Sequence, residues 1–132
     1  MFMKSSSKHH WIGKNPNPDK YFGFVYEITN LTTGRKYIGK KQYHRWSKRK
    51  IAGLNKWEFY TGSSKELNAD IKKYGKENFE FKIIKNYLTR GGLVYAEANI
   101  QHKKDVLTLH KNNERVYYNK QISAIKFIPK EW

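Results

Sequence analysis

The clearest pattern of apolar positions in the chain predicts a β-hairpin near its amino-terminal end. Two runs rich in β-branched and aromatic residues, 22–30 and 35–41, flank a loop that contains Gly34. Such a pair of runs around a short glycine-containing loop is typical of two antiparallel strands. We therefore expect the fold to be organised around this hairpin.

Two tyrosines of the hairpin are predicted to share one face. A pairing centred on Leu31 and Thr32 places Tyr26 opposite Tyr37. Cross-strand partners point their side chains to the same side of a sheet. The pattern thus predicts two phenols that project together from a small sheet.

The rest of the pattern predicts helices on either side of a third strand. Ser63 and Glu66 have capping-box spacing and Gly75 is a good stop, which predicts a helix over residues 64–74. The predicted fold class is α+β, with a small three-stranded antiparallel sheet flanked by helices. The other predicted elements are a short helix near residues 43–51, a strand from 79 to 83 and on towards 87, and a helix over 92–109.

The distribution of polar residues predicts one domain with two flanking segments. Residues 1–20 are polar and broken by Asn-Pro-Asn-Pro, which is typical of a flexible basic arm. His9 and His10 are interpreted as part of that solvated arm rather than as metal ligands. Residues 21–120 form the predicted domain, and the apolar positions in 121–132 predict a segment that packs back on it.

The charge of the chain changes the picture from fold to partner. Its 132 residues include 27 Lys and Arg against 11 Asp and Glu, a formal net charge of +16. Such an excess repels itself in a compact state and favours a polyanionic partner. Dense Lys and Arg neutralise phosphates and release counterions, so nucleic acid is the expected partner.

A membrane is the competing partner, and the sequence does not favour it. No run is long enough to cross a bilayer, and no broad amphipathic face or lipidation signal is evident. The start of the chain lacks the apolar stretch of a signal peptide. Cysteine is absent, which suits a reducing interior. The expected location is the cytoplasm.

Three further polar residues could carry chemistry, and each also has a simpler interpretation. Glu97 lies in the middle of a predicted helix among small and apolar neighbours, where it could also be a surface residue paired with Lys103 or Lys104. Arg45 can hold a phosphate bidentately, although a general screening charge is the simpler role. Asn119 would by default be a turn residue.

Taken in order, these residues resemble the GIY-YIG nuclease domain over about residues 22–120. Within that family the chain resembles small stand-alone phage endonucleases of the homing type, because of the run Trp57–Ser64 that precedes a helix. The elements that carry the resemblance are Phe24-Val25-Tyr26, Tyr37-Ile38-Gly39, Arg45-Trp46, Glu97 and Tyr118-Asn119.

The resemblance implies hydrolysis of a phosphodiester in double-stranded DNA with one Mg²⁺ or Mn²⁺ ion. Glu97 would bind the metal and Arg45 would clamp the scissile phosphate. Tyr26 would activate the attacking water, directly or by relay, with Tyr37 as its positioning partner. Asn119 would orient either Glu97 or the backbone of the site.

Nearby cations are expected to lower the pKa of the phenols, which is near 10 when unperturbed. The cations of the right sign are Lys40, Lys41 and Arg45. Ser63 and Ser64 could bind a neighbouring phosphate or could simply cap the helix. The residues expected to contact nucleic acid are Lys40, Lys41, His44, Arg49, Ser63 and Ser64.

The chain departs from the family pattern at two points. Phe24 and Val25 replace the glycine and isoleucine of the first motif, and Arg49 stands where some members carry a histidine. Two other functions therefore compete with a DNA endonuclease that acts as a monomer or dimer. One is a catalytically inactive, nuclease-like module that binds nucleic acid, and the other is an RNA-binding basic protein.

Overall fold

The computed structural model describes residues 8–129, which form a mixed sheet with one helix on each face. Two short two-stranded ribbons project from this body. The strands are β1 (Trp11–Gly13), β2 (Gly23–Asn30), β3 (Lys36–Gln42), β4 (His44–Ser47), β5 (Lys50–Leu54), β6 (Phe79–Tyr87), β7 (His110–Lys111) and β8 (Glu114–Arg115), and the helices are α1 (Lys65–Tyr74) and α2 (Arg90–Lys103), with a 3₁₀ turn over Lys76–Asn78.

The main sheet has four strands in the order β1-β6-β2-β3, so the prediction of three antiparallel strands is wrong. The two hairpin strands and β6 are antiparallel as expected, but β1 adds a parallel partner to β6. The added strand is only three residues long, and period-two alternation cannot be recognised over so short a run.

The flexible-arm prediction is also wrong where the arm forms β1. Trp11 is buried, its indole Nε1 donates to the Trp57 carbonyl at 2.8 Å, and its ring packs against Phe24. His10 stacks on Phe81 at a centroid distance of 3.9 Å, and burial lowers its pKa to about 3. This segment therefore belongs to the core; residues 1–7 of the predicted arm lie outside the described residues.

The observed hairpin register differs from the predicted one by two residues. Tyr26 pairs with Gly39, and Tyr37 pairs with Ile28. The loop is longer on its carboxyl side than predicted, because Asn30 accepts from two loop amides through Oδ1 and donates its own amide to the Arg35 carbonyl at 2.8 Å. A shift of two preserves the face, since side chains alternate with period two. The two tyrosines therefore still lie on one side.

The two faces of the sheet bury separate clusters. One face carries Phe24, Tyr26 and Ile28, which pack with aromatic residues and with Leu67 of α1. The other carries Val25 and Ile38, which pack with residues of α2 and with Tyr117. In the strand order of the sheet, β2 and β6 are central and β3 lies at an edge.

The predicted helices over 64–74 and 92–109 both exist, with differences at their ends. Ser64, not Ser63, caps α1 by accepting from the Leu67 amide at 3.1 Å. Glu66 pairs with Arg35 at 2.8 Å and so does not complete a capping box. Helix α2 begins at Arg90 and ends at Lys103, six residues short of the predicted end.

The predicted helix near residues 43–51 is wrong, because this stretch forms the ribbon β4–β5. Trp46 pairs with Ile51 across the ribbon. The chain reverses at Lys48 and Arg49, whose φ angles are 51° and 67°. Neither residue belongs to the Gly and Asn types that usually mark such a turn, so the local pattern did not indicate one.

Near the carboxyl end, contacts with the body are uneven. Ile122 packs against the cluster on the α2 face, whereas Ile128 is exposed. Residues 130–132 of the predicted packing segment lie outside the described residues. Neither helix within 8–129 combines the length and the apolar character needed to cross a bilayer.

Trp11→Ala tests whether β1 is part of the fold. Truncating a buried Trp is expected to lower the free energy of unfolding by about 3–5 kcal/mol, measured by urea denaturation. Ile12→Ala is the matched control, because the side chain of Ile12, the next residue of β1, is 50% exposed. Similar small losses from both variants would contradict the assignment of β1 to the core.

Candidate active site

Tyr26 lies at the centre of the candidate site and is pressed against backbone. It is 1% exposed. A Cβ added at Gly39 would lie 2.5 Å from the Tyr26 hydroxyl oxygen, and one at Gly62 would lie 3.3 Å from it. A side chain at position 39 therefore cannot coexist with this ring position. The glycine of Tyr37-Ile38-Gly39 is required by close approach.

Three phenols meet here rather than the predicted two. The ring centroids of Tyr37 and Tyr60 lie 6.2 Å and 6.1 Å from that of Tyr26. Tyr37 is half-buried, and its hydroxyl is 3.3 Å from Ser63 Oγ. The Lys41 ammonium lies 3.9 Å from the Tyr60 ring centroid. Tyr60 was missed as a site residue, although the run Trp57–Ser64 that contains it was singled out.

Glu97 is brought to this cluster from α2. Its side chain is 12% exposed, and its Oε1 lies 3.4 Å from the Lys40 ammonium. It pairs with a lysine of β3, not with Lys103 or Lys104 as the simpler interpretation proposed. Burial raises the pKa of Glu97, and Lys40 opposes that rise.

The pKa shifts of the phenols are opposite to the predicted direction. Burial raises the pKa of Tyr26 well above 10, and Tyr37, Tyr60 and Glu97 add to the rise. Burial also raises the pKa of Tyr37, with Ser63 opposing and Glu97 adding. The expected cations act elsewhere: Lys40 faces Glu97 and Lys41 faces Tyr60. The phenols therefore keep their protons at neutral pH.

Asn119 is tied to the backbone of β3. Its Oδ1 accepts from the Ile38 amide at 3.0 Å, and its Nδ2 donates to the Ile38 carbonyl at 2.8 Å. Gln101 of α2 donates to the same carbonyl at 2.9 Å. Asn119 therefore holds the backbone of the residue that precedes Gly39.

The remaining predicted residues divide between the cluster and the ribbon. Ser63 joins the cluster through Tyr37, while Ser64 caps α1. Arg45 is exposed on β4, and its guanidinium lies 3.2 Å from a Cβ built at Gly53. None of the described contacts joins His44, Arg45 or Arg49 to the tyrosine cluster.

The donor set fits one hard divalent cation better than a structural metal. Within residues 8–129 no group of three or more His, Cys, Asp or Glu side chains could hold a metal. A Mg²⁺ ion needs only one or two carboxylates, because it retains waters and takes substrate phosphate oxygens. Glu97 supplies a buried carboxylate, and the buried Oε1 of Gln101, one helical turn on, has no hydrogen-bond partner.

A hairpin with two tyrosines on a small sheet, and a helix-borne glutamate beside its edge strand, define the GIY-YIG class of nuclease domain. The chain belongs to this family. The family model described as "Putative endonuclease segE, GIY-YIG domain" matches residues 7–122.

Relatives of the chain come from Enterobacteria phage T4. It is 34% identical to "Putative endonuclease segE" over 104 residues, which cover 79% of this chain and 43% of the relative. It is 31% identical to "Putative endonuclease segC" over 115 residues, or 87% and 50% of the two chains. The chain thus spans at most half the length of these relatives. No solved structure matches it.

Gly39→Ala tests the close approach at Tyr26. Overpacking is expected to cost about 1–3 kcal/mol of unfolding free energy, and Tyr26→Phe should relieve part of it by removing the nearest oxygen. A double-mutant cycle measured by urea denaturation gives the coupling. Gly91→Ala is the control, since a Cβ there would only reach ordinary contact with the Phe127 ring at 3.4 Å and the φ of Gly91 is not positive. Additive costs for Gly39→Ala and Tyr26→Phe would contradict the contact.

Glu97→Gln tests the burial of the carboxylate. Because the folded pKa is raised, the folded protein binds the proton more tightly than the unfolded chain does. Stability therefore falls as pH rises from the ordinary carboxyl value near 4.5 through the raised folded value. The variant should be more stable than wild type at pH 7, with the difference lost below about pH 4.

Urea unfolding at both pH values measures this effect. Glu27→Gln is the control, because Glu27 also pairs with a lysine of β3 and its side chain has a similar exposure, 15% against 12% for Glu97. A Glu97→Gln variant less stable than wild type at pH 7 would show that the ion pair outweighs burial.

Proposed function

We propose that this chain is a DNA endonuclease that hydrolyses phosphodiester bonds with one Mg²⁺ or Mn²⁺ ion. The observation that carries the proposal is the convergence of three phenols and Glu97 beside one edge strand. The charge of +16 supports a polyanionic substrate. The phage T4 relatives each carry the printed name "Putative endonuclease", and these names support the reaction class.

Glu97 is the residue that would hold the metal ion. When bound, a divalent ion stabilises the charge that develops on the phosphate and on the leaving oxygen. Lys40, 3.4 Å from the carboxylate, opposes the rise that burial causes in the pKa of Glu97 and so favours the ionised form that binds a cation. Gln101 and Asn119 hold the Ile38 backbone, so the strand that carries Tyr37 cannot move away from α2.

The phenols act in this proposal as hydrogen-bonding groups and not as pre-formed phenolates. The raised pKa values of Tyr26 and Tyr37 keep both hydroxyls protonated at neutral pH. Tyr26 would orient the attacking water through its hydroxyl and relay a proton during the reaction. Tyr37, which is half-buried and bonded to Ser63, would hold a phosphate oxygen next to it. Tyr60 confines the Tyr26 ring from the other side.

Cleavage of supercoiled plasmid with and without Mg²⁺ tests the proposal. Glu97→Gln is expected to lower the cleavage rate at least about 100-fold and Tyr26→Phe about 100- to 10,000-fold. Glu27→Gln, a glutamate of similar exposure paired with Lys36, should cleave like wild type. Salt-dependent binding with no cleavage under any divalent metal would instead support the inactive binding module.

Two finer parts of the proposal stay predictions. We propose a homing-type or other phage DNA-processing role in the cytoplasm of a bacterial host cell, on the basis of the phage relatives. We also propose that the protein acts on double-stranded DNA as a monomer or dimer. Products of one-strand and two-strand cleavage separate on the same plasmid gel.

A further inference from the structure

The ribbon β4–β5 lies in a segment whose charged side chains are all positive. From Gln42 to Trp57 there is no acidic residue. Trp46 and Ile51, on one face of this ribbon, are 38% and 57% exposed. Its cations are Arg45, Lys48, Arg49, Lys50 and Lys56.

The base of the ribbon is firmly held. Tyr43 is fully buried, its amide donates to the Phe22 carbonyl at 3.0 Å, and its carbonyl accepts from the Asn55 amide at 2.9 Å. Its hydroxyl contacts the side chain of Asn86 and accepts from the Asn17 amide at 3.2 Å. The ribbon therefore leaves the body in a defined direction, directly after the strand that carries Tyr37.

The ribbon beyond its base is paired mainly with itself. It is a separate two-stranded sheet, and its described ring contact with the body is Trp46 on Phe22 at 5.9 Å. An isolated two-stranded ribbon is marginally stable in water. It adds little to the core, so its exposed position calls for an explanation in terms of a partner.

The polar face and the tip of the ribbon concentrate the cations. Ser47 pairs directly with Lys50, so these two side chains share one face, and Arg45 pairs with Gly53 beyond a register shift between Arg45 and Trp46. At the tip, Lys48 and Arg49 both adopt positive φ. Asn-Gly would fit this turn with less strain, so the chain places two charges where the backbone favours neither residue.

We propose that β4–β5 inserts into the major groove of duplex DNA beside the scissile phosphate. This rests on DNA being the substrate, as proposed above. Two strands lie about 4.8 Å apart, and with their side chains they fit a major groove of about 12 Å, whereas a minor groove of about 6 Å takes a ribbon only when the DNA is deformed.

Within this arrangement Arg45 has a role different from the predicted clamp. Its guanidinium lies over Gly53, which has no side chain to displace it. An arginine fixed on the face of a ribbon can bind guanine O6 and N7 bidentately in the major groove. Lys48 and Arg49 at the tip contact phosphates across the groove. The ribbon thus provides binding and sequence preference, while the tyrosine cluster provides chemistry.

The test replaces the tip with the residues that its turn prefers. Lys48→Asn/Arg49→Gly removes two charges and leaves the ribbon folded, which circular dichroism and the thermal midpoint verify. Binding is measured for the full chain carrying Glu97→Gln, in EDTA, so that no cleavage is needed. Lys72→Gln/Lys73→Gln removes two charges from the exposed end of α1 as the matched control.

Two modified duplexes identify the groove. One carries a bulky substituent at C5 of every cytosine, which fills the major groove, and the other is saturated with netropsin, which fills the minor groove. Wild-type binding should fall about ten-fold or more with the first and stay unchanged with the second. The tip variant should lower the slope of log K against log salt by about 2, because it removes two phosphate contacts.

Several outcomes would overturn the inference. They are inhibition by netropsin alone, equal losses from the tip variant and the α1 control, and tighter binding of single-stranded RNA than of duplex DNA. Because binding is measured without cleavage, a plasmid that stays intact with the wild-type protein would sink the proposed reaction and leave this result standing. Groove-dependent binding by an inactive protein would accordingly support the ribbon alone.

Discussion

The site depends on one steric constraint, the close approach of the Tyr26 hydroxyl to the backbone at Gly39. The two residues are direct cross-strand partners, and the ring lies over the missing side chain. This contact needs the observed hairpin register, because a shift of one residue would turn Tyr26 to the opposite face. It also confines the ring between Gly39 and Gly62, and so fixes where Tyr37 and Tyr60 can pack.

The edge of β3 links this constraint to the helix that carries the glutamate. An edge strand presents unpaired amides and carbonyls. Here the backbone of Val116 and Tyr118 bonds to Lys36, and side chains bond to Ile38. Asn119 accepts from the Ile38 amide and donates to the Ile38 carbonyl, and Gln101 of α2 donates to the same carbonyl. The residue before Gly39 is therefore bonded to α2 one turn beyond Glu97. Tyrosines and glutamate are held against the same piece of backbone.

Sequence patterns predicted the elements that are encoded by long runs of residues. They missed the elements that depend on short segments or on contacts between residues far apart in the chain. The hairpin strands, β6 and α1 are each seven or more residues long, enough for the sequence pattern to predict them. Strand β1 was missed because three residues carry no period and Trp11 is buried only by distant partners. The ribbon was mistaken for a helix because its turn uses Lys48 and Arg49. Tyr60 joins the cluster through a loop, whose path no local pattern encodes.

The electrostatics of the site bear directly on the proposed metal ion. Burial raises the pKa of the phenols and of Glu97 alike, so this interior resists negative charge. Cations lie at its margin, with Lys40 on the carboxylate and Lys41 on the Tyr60 ring. A DNA phosphate brought here would place a second negative charge beside Glu97, and one lysine cannot neutralise both. In the proposed reaction, a divalent cation held by Glu97 would supply the missing charge.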